Sequence, residues 1–239
     1  RRHTICREVS WLGDVYKRQT VVSVTVPDDT PNIDFTLEVG GTISGHVYKA
    51  DGTTPIAGAE VSADLIGGDY GTGARTGSDG SYTVTGLPSG NYRVSVRADG
   101  YIREYYDGTY EYSEATPLLV TAPDDTPNID FTLEVGGTIS GHVYEADGVT
   151  LMADVRVYAR DYDTGAYGYG WTASDGSYTI TGLPSGGYRV EAQAEGYVRE
   201  YYQETYSYSQ ATVVSVTVPD DTPNIDFTLE VGGTISVSY

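Results

Sequence analysis

The chain has 239 residues, with 34 acidic and 14 basic side chains for a formal net charge of −20. That balance argues against a nucleic-acid partner, because phosphate binding takes clustered Lys and Arg, and no apolar run approaches the ~20 residues of a membrane span. Gly, Thr, Ser, Asp and Tyr dominate instead, a composition suited to many short strands joined by tight turns.

Residues 1–19, RRHTICREVSWLGDVYKRQ, match nothing further along. They hold five of the 14 bases and the one cysteine, Cys6. They lack the apolar centre of a signal peptide and resemble translated adapter read-through, so they are set aside as a foreign tail. Without their five bases and two acids, the remainder holds 32 acids against nine bases, a net of −23. Such acidity favours solubility, repulsion between chains and uptake of cations.

From residue 20 the chain repeats itself. DDTPNIDFTLEVGGTIS stands at 28–44, 124–140 and 220–236, a spacing of 96 residues without insertion. Residues 20–40 therefore read as the end of a preceding unit, 41–136 and 137–232 as two complete units, and 233–239 as the first strand of a following one. A unit of this size can bury roughly 60–65% of its unfolded surface and stand as a domain.

Within each unit the period is 2, as in half-buried strands. Ile43, Gly45 and Val47 alternate with Ser44, His46 and Tyr48. Val61, Ala63 and Leu65 form a second inward row, Tyr82 and Val84 a third, and Tyr92, Val94 and Val96 a fourth, while Ile33, Phe35 and Leu37 close the set. Turn pairs such as Asp51-Gly52, Asp79-Gly80 and Asp99-Gly100 separate the rows. The pattern predicts an all-β chain of tandem, Ig-like antiparallel sandwiches with about seven strands each.

ISGHVYEADG at 139–148, SDGSYTITGLPSGGYRV at 174–190 and EGYVREYY at 195–202 resemble the carboxypeptidase regulatory-like domain, a prealbumin-like sandwich. The resemblance spans both units. It implies a non-catalytic module, common in bacterial extracellular and cell-surface proteins and often found in tandem.

Only Val135-Gly136-Gly137 separates the last strand of one unit from the first of the next. So short a connector cannot act as a flexible coil, and the sandwiches are expected to stack end to end as a semi-rigid rod. Thr20–Ser44 and Thr212–Ser236 are identical, as an excerpt of a longer array would be. Alternatively, incomplete ends with open edges pair between chains. Copies of the chain, end to end or lateral in a fibre, are the expected partners.

Candidate chemistry is sparse. His142 and Glu145 fit an HxxE zinc pattern, but positions i and i+3 of a strand face opposite sides, and Lys49 replaces the Glu in the first unit. No Cys stands in the repeats and no Ser/His/Asp grouping exceeds chance, so no enzyme is expected. The second unit has no lysine, which excludes a Lys–Asn isopeptide lock there. Asp124, Asp125 and Asp130, with Asp161 and Asp163, are weak candidates for Ca²⁺, which takes six to eight oxygen ligands; solvated turn residues are the plainer reading.

Tyrosines are the main signal outside the core. Tyr105, Tyr106, Tyr110 and Tyr112 recur as Tyr201, Tyr202, Tyr206 and Tyr208. They either pack, or stack on sugars or another protein through apolar area with a polar tip. Residues 55–77 and 151–173 differ most between units, and the second adds Tyr167, Tyr169 and Trp171. A structural rod, stalk or filament is the leading reading, with a glycan-binding or adhesive module as the alternative. No N-x-S/T sequon exists, so any sugar coat is O-linked.

Overall fold

The computed structural model describes residues 22–24, 30, 31 and 33–233. The tail at 1–19 and residues 234–239 lie outside the described residues, as does most of 20–32. The first module comprises β1 (Gly41–Lys49), β2 (Glu60–Leu65), β3 (Gly71–Arg75), β4 (Ser81–Leu87), β5 (Gly90–Arg97), β6 (Glu104–Tyr105), β7 (Leu118–Val120), β8 (Asp125–Thr126) and β9 (Phe131–Leu133). The second repeats it as β10 (Gly137–Glu145), β11 (Arg156–Arg160), β12 (Tyr167–Trp171), β13 (Ser177–Leu183), β14 (Gly186–Gln193), β15 (Glu200–Tyr201), β16 (Val213–Val216), β17 (Asp221–Thr222) and β18 (Phe227–Leu229). Seven strands of each module have three residues or more, and two are two-residue pairings.

Each module packs a four-stranded sheet, β4-β1-β8 with β9 also on β1, against a five-stranded sheet, β3-β2-β5-β6 with β7 also on β5. Strict alternation along β1 sends Ile43 and Val47 into the interior and leaves Ser44 and His46 half out. Two separate cores result, one around Tyr92 and Phe131 and the other around Tyr188 and Phe227. The buried tyrosine hydroxyls find acceptors, as burial requires: Tyr82 donates to Ile129 O at 2.6 Å and Tyr188 to Pro184 O at 2.9 Å.

The structure differs from the sequence reading in two respects. The sandwiches are antiparallel except at their closing strands: β8 and β9 run parallel to β1, with Thr42 opposite Asp125 and Val47 opposite Phe131. The chain leaves the five-stranded sheet after β7 and crosses to the other sheet before running along β1, which sets that direction. Second, Ile33, Phe35 and Leu37 do not close the first module. Phe35 is 85% exposed and Leu37 91%, whereas Phe131 and Leu133 of the downstream copy are buried and fill that place.

Gly45 makes the crossing feasible. A Cβ there would stand 2.0 Å from Ile129 O, and the bare backbone instead lets Ile129 N–H donate to Ser44 O at 3.0 Å.

The joint between modules is hydrogen-bonded rather than slack. Ile102 N–H donates to Glu134 O at 2.9 Å and Gly136 N–H to Gly100 O at 3.0 Å, with Val135 bridging Tyr101. The connector is thus sewn onto the Asp99–Tyr101 turn of its own module. The second module meets the same turn, since Thr181 Oγ1 donates to Asp99 Oδ1 at 3.2 Å. A Cβ on Gly136 would lie 2.4 Å from Gly182 Cα, and one on Gly182 2.5 Å from Tyr101 O. Gly40 stands in the same relation to Gly86, at 2.5 Å from its carbonyl carbon, so the joint recurs with the repeat.

Candidate functional site

The tyrosine segments serve several purposes. Tyr105 and Tyr201 are buried, and each meets an exposed or half-exposed partner edge-on: Tyr105 with Tyr112 at 5.9 Å and Tyr201 with Tyr208 at 6.0 Å. Tyr106 and Tyr202 pack edge-on against Phe131 and Phe227. Arg93 donates to Tyr112 Oη at 2.9 Å and lies 4.2 Å over its ring; Arg189 does the same to Tyr208. Tyr110 and Tyr206 face solvent, and Tyr206 Oη donates to Glu230 at 3.1 Å.

Between these tyrosines lies a residue that sequence reasoning missed. Glu104 on β6 and Glu200 on β15 are buried polar side chains at the same place in each module. Burial pushes the Glu104 carboxyl up to about 7, with the Thr132 amide opposing and Glu134 adding to the shift. Burial also pushes Glu200 up to about 7, with Glu204 and Glu230 adding and the Thr228 amide opposing. The only sequence signal was the recurrence of REYY. Beside Glu200 an open depression is lined by Tyr144, Tyr202, Glu204 and Asp226.

The aspartate candidates for Ca²⁺ hold the closing strands. Asp125 accepts from Thr42 Oγ1 at 2.5 Å and Ser44 Oγ at 2.8 Å, and Asp130 accepts from His46 N–H at 2.8 Å. Asp124 contributes its backbone oxygen to Thr42 N–H. Asp161 is buried and accepts from the amides of Asp163 and Thr164, closing the β11–β12 turn. Among the described residues no group of three or more His, Cys, Asp or Glu is placed to hold a metal.

Trp171 belongs to a different surface, the outer face of the second five-stranded sheet. In β12 the alternation Tyr-Gly-Tyr-Gly-Trp is inverted relative to an ordinary half-buried strand. Gly168 and Gly170 face the core because there is no room for more, a Cβ on Gly168 lying 2.6 Å from Ile180 Cγ2. Tyr167, Tyr169 and Trp171 therefore point out, 61%, 46% and 55% exposed. Cross-strand register sets Arg156 opposite Trp171, Tyr158 opposite Tyr169 and Arg160 opposite Tyr167. The Arg156 guanidinium lies 4.6 Å from the Tyr158 ring, 4.7 Å from Tyr169 and 5.4 Å from Trp171.

Fold and surfaces together define a tandem β-sandwich repeat protein. The carboxypeptidase regulatory-like domain model matches residues 42–134 and again 138–230, and the chain belongs to that family. No curated protein sequence matches the chain. Similar solved structures include the Bacillus anthracis TIE protein, at 16% identity and TM-score 0.32 over 81% of this chain; this chain spans 34% of that protein's length. GBS52, the minor pilin of Streptococcus agalactiae, matches at 15% identity and TM-score 0.34, over 84% of this chain and 100% of its own. The shaft pilin SpaA of Lactobacillus rhamnosus GG matches at 11% identity and TM-score 0.31, over 82% and 99%.

Proposed function

We propose that the chain is a structural segment of a bacterial extracellular or cell-surface array, in which sandwiches stack end to end into a semi-rigid rod, stalk or filament. The observation that carries this reading is the joint. Glu134–Gly136 is hydrogen-bonded along its own module, and the next module rests its Thr181-Gly182 corner on the same turn. A connector fixed at both ends has no random-coil reach, so each joint transmits orientation from one unit to the next. Stability is then close to a sum of unit and neighbour terms. A net charge of −20 keeps neighbouring rods apart at low ionic strength. The role is mechanical rather than catalytic.

Electron microscopy of the native particle tests this proposal. Fibres with an axial period of one module are the expected result, and compact particles without axial repetition would contradict it.

A further inference from the structure

All four basic side chains of the second repeat, Arg156, Arg160, Arg189 and Arg199, lie on or beside the five-stranded sheet that carries the exposed rings. Arg199 stands 3.9 Å from Glu191. Among the described residues, no carboxylate lies within ion-pair distance of Arg156, Arg160 or Arg189, although the chain has 34 acids. Arg156 Nε is shielded from solvent and has no hydrogen-bond partner, so ring faces hold this guanidinium in place. The result is a surface of aromatic rings beside cations that no carboxylate neutralises.

The first module keeps Arg93 over Tyr112 where the second has Arg189 over Tyr208, but its β2–β3 face carries neither the rings nor the cations of β11–β12. Glu60, Ser62 and Asp64 replace Arg156, Tyr158 and Arg160, and Gly71, Gly73 and Arg75 replace Tyr167, Tyr169 and Trp171. The inward residues of β2 and β11, Val61 and Ala63 against Val157 and Ala159, are unchanged. Six outward positions have changed together, while inside these strands only Thr72 and Ala74 have given way, to Gly168 and Gly170. Folding does not require that pattern.

We infer that this face of the second module binds an acidic polysaccharide, a glycan whose sugar rings bear carboxylates. A pyranose presents an apolar C–H face that packs on an aromatic ring, and its carboxylate supplies the acceptor for a charge-assisted bond from Arg. Stacking on Tyr158, Tyr169 and Trp171 and pairing with Arg160 and Arg189 use both features of the same sugar unit. Nucleic acid is a poorer match: three cations neutralise at most a few phosphates, and affinity there grows with the number neutralised. The acidic turns of a second copy would offer charge without an apolar face to cover the rings. This surface shares no residue with the hydrogen-bonded joint, although Tyr167 and Tyr169 lie within electrostatic reach of Arg97 in the first module, so its failure would leave the rod reading untouched.

The test is affinity electrophoresis of the full chain in gels containing polygalacturonate or hyaluronan, with fully methyl-esterified galacturonan as the uncharged counterpart. Both acidic polymers should retard the chain, the esterified polymer much less, and added salt should reduce the effect. Trp171→Ala and Arg160→Gln, both at exposed positions, should each weaken retardation roughly tenfold without shifting the melting temperature. Arg75→Ala, at the position corresponding to Trp171, should change nothing. The inference is overturned if neither acidic polymer retards the chain, if the esterified polymer retards it equally, or if the two variants bind like the parent. It is equally overturned if the variants abolish only self-association in sedimentation, or only binding of a single-stranded oligonucleotide.

Discussion

Laid one over the other, the two modules keep most of their largest buried side chains and differ most on one side. Tyr92 and Tyr188, Val94 and Val190, and Phe131 and Phe227 occupy equivalent buried places, and the hydroxyl bonds of Tyr82 and Tyr178 reach the same carbonyl, Ile129 or Ile225. The joints match as well, Gly40 with Gly86 and Gly136 with Gly182. The outer faces of β2–β3 and β11–β12 diverge most in character, the first polar and ion-paired through Glu60 and Arg97 at 2.6 Å, the second aromatic and cationic. Close packing makes interiors intolerant of change. Outward positions of a strand can vary independently, so one scaffold can be repeated for mechanics and altered face by face for recognition.

The largest effects should come from the shared interior. Phe131→Ala is expected to destabilise the first module by about 3–5 kcal/mol in denaturant unfolding, while Phe35→Ala, in the same local sequence but exposed, stays within about 0.5 kcal/mol of the parent. Equal losses would mean that residues 33–37 also pack. Gly136→Val should cost about 1–3 kcal/mol by overpacking against Gly182, seen as a lower melting temperature with each core intact.

Next comes pH. Glu104 and Glu200 titrate near 7 in the native state against an ordinary value of 4.5. The folded chain therefore holds protons that the unfolded chain releases. Stability falls as pH rises from about 4.5 to 7 and levels off above it. Glu104→Gln combined with Glu200→Gln should flatten that slope in melting curves taken across the window. Asp51, Asp79, Asp147 and Asp175 act in the opposite sense and at lower pH, since turn hydroxyls and amides lower their carboxyls; their contribution is lost only in strong acid. The smallest effect belongs to the exposed Glu60–Arg97 pair, for which a double-mutant cycle should give about 0.2–1 kcal/mol, declining with salt.

The strands and the turns were legible in the sequence because each has a local cause. Alternation along Ile43-Ser44-Gly45-His46-Val47 needs no distant partner to be read, and Asp79 closes its turn by accepting from Ser81 two residues on. What escaped depends on remote partners. REYY gives no sign that Glu104 will be buried, because the strand that covers it, with Thr132, arrives more than 25 residues later. The rings of β12 were visible as tyrosines and a tryptophan, but Arg156, Tyr158 and Arg160 join them only through cross-strand register. The parallel direction of β8 and β9 follows from a sheet-to-sheet crossing that no period encodes.

The fixed joint is the claim on which the rod depends, and a distance distribution tests it most directly. Spin labels at Thr83→Cys and Thr179→Cys, equivalent exposed positions on β4 and β13, in a Cys6→Ser background, report the pose of one module against the next by pulsed electron paramagnetic resonance. A single narrow distance is predicted, broadening in Gly136→Val. A broad or many-peaked distribution in the otherwise unaltered chain would contradict the account.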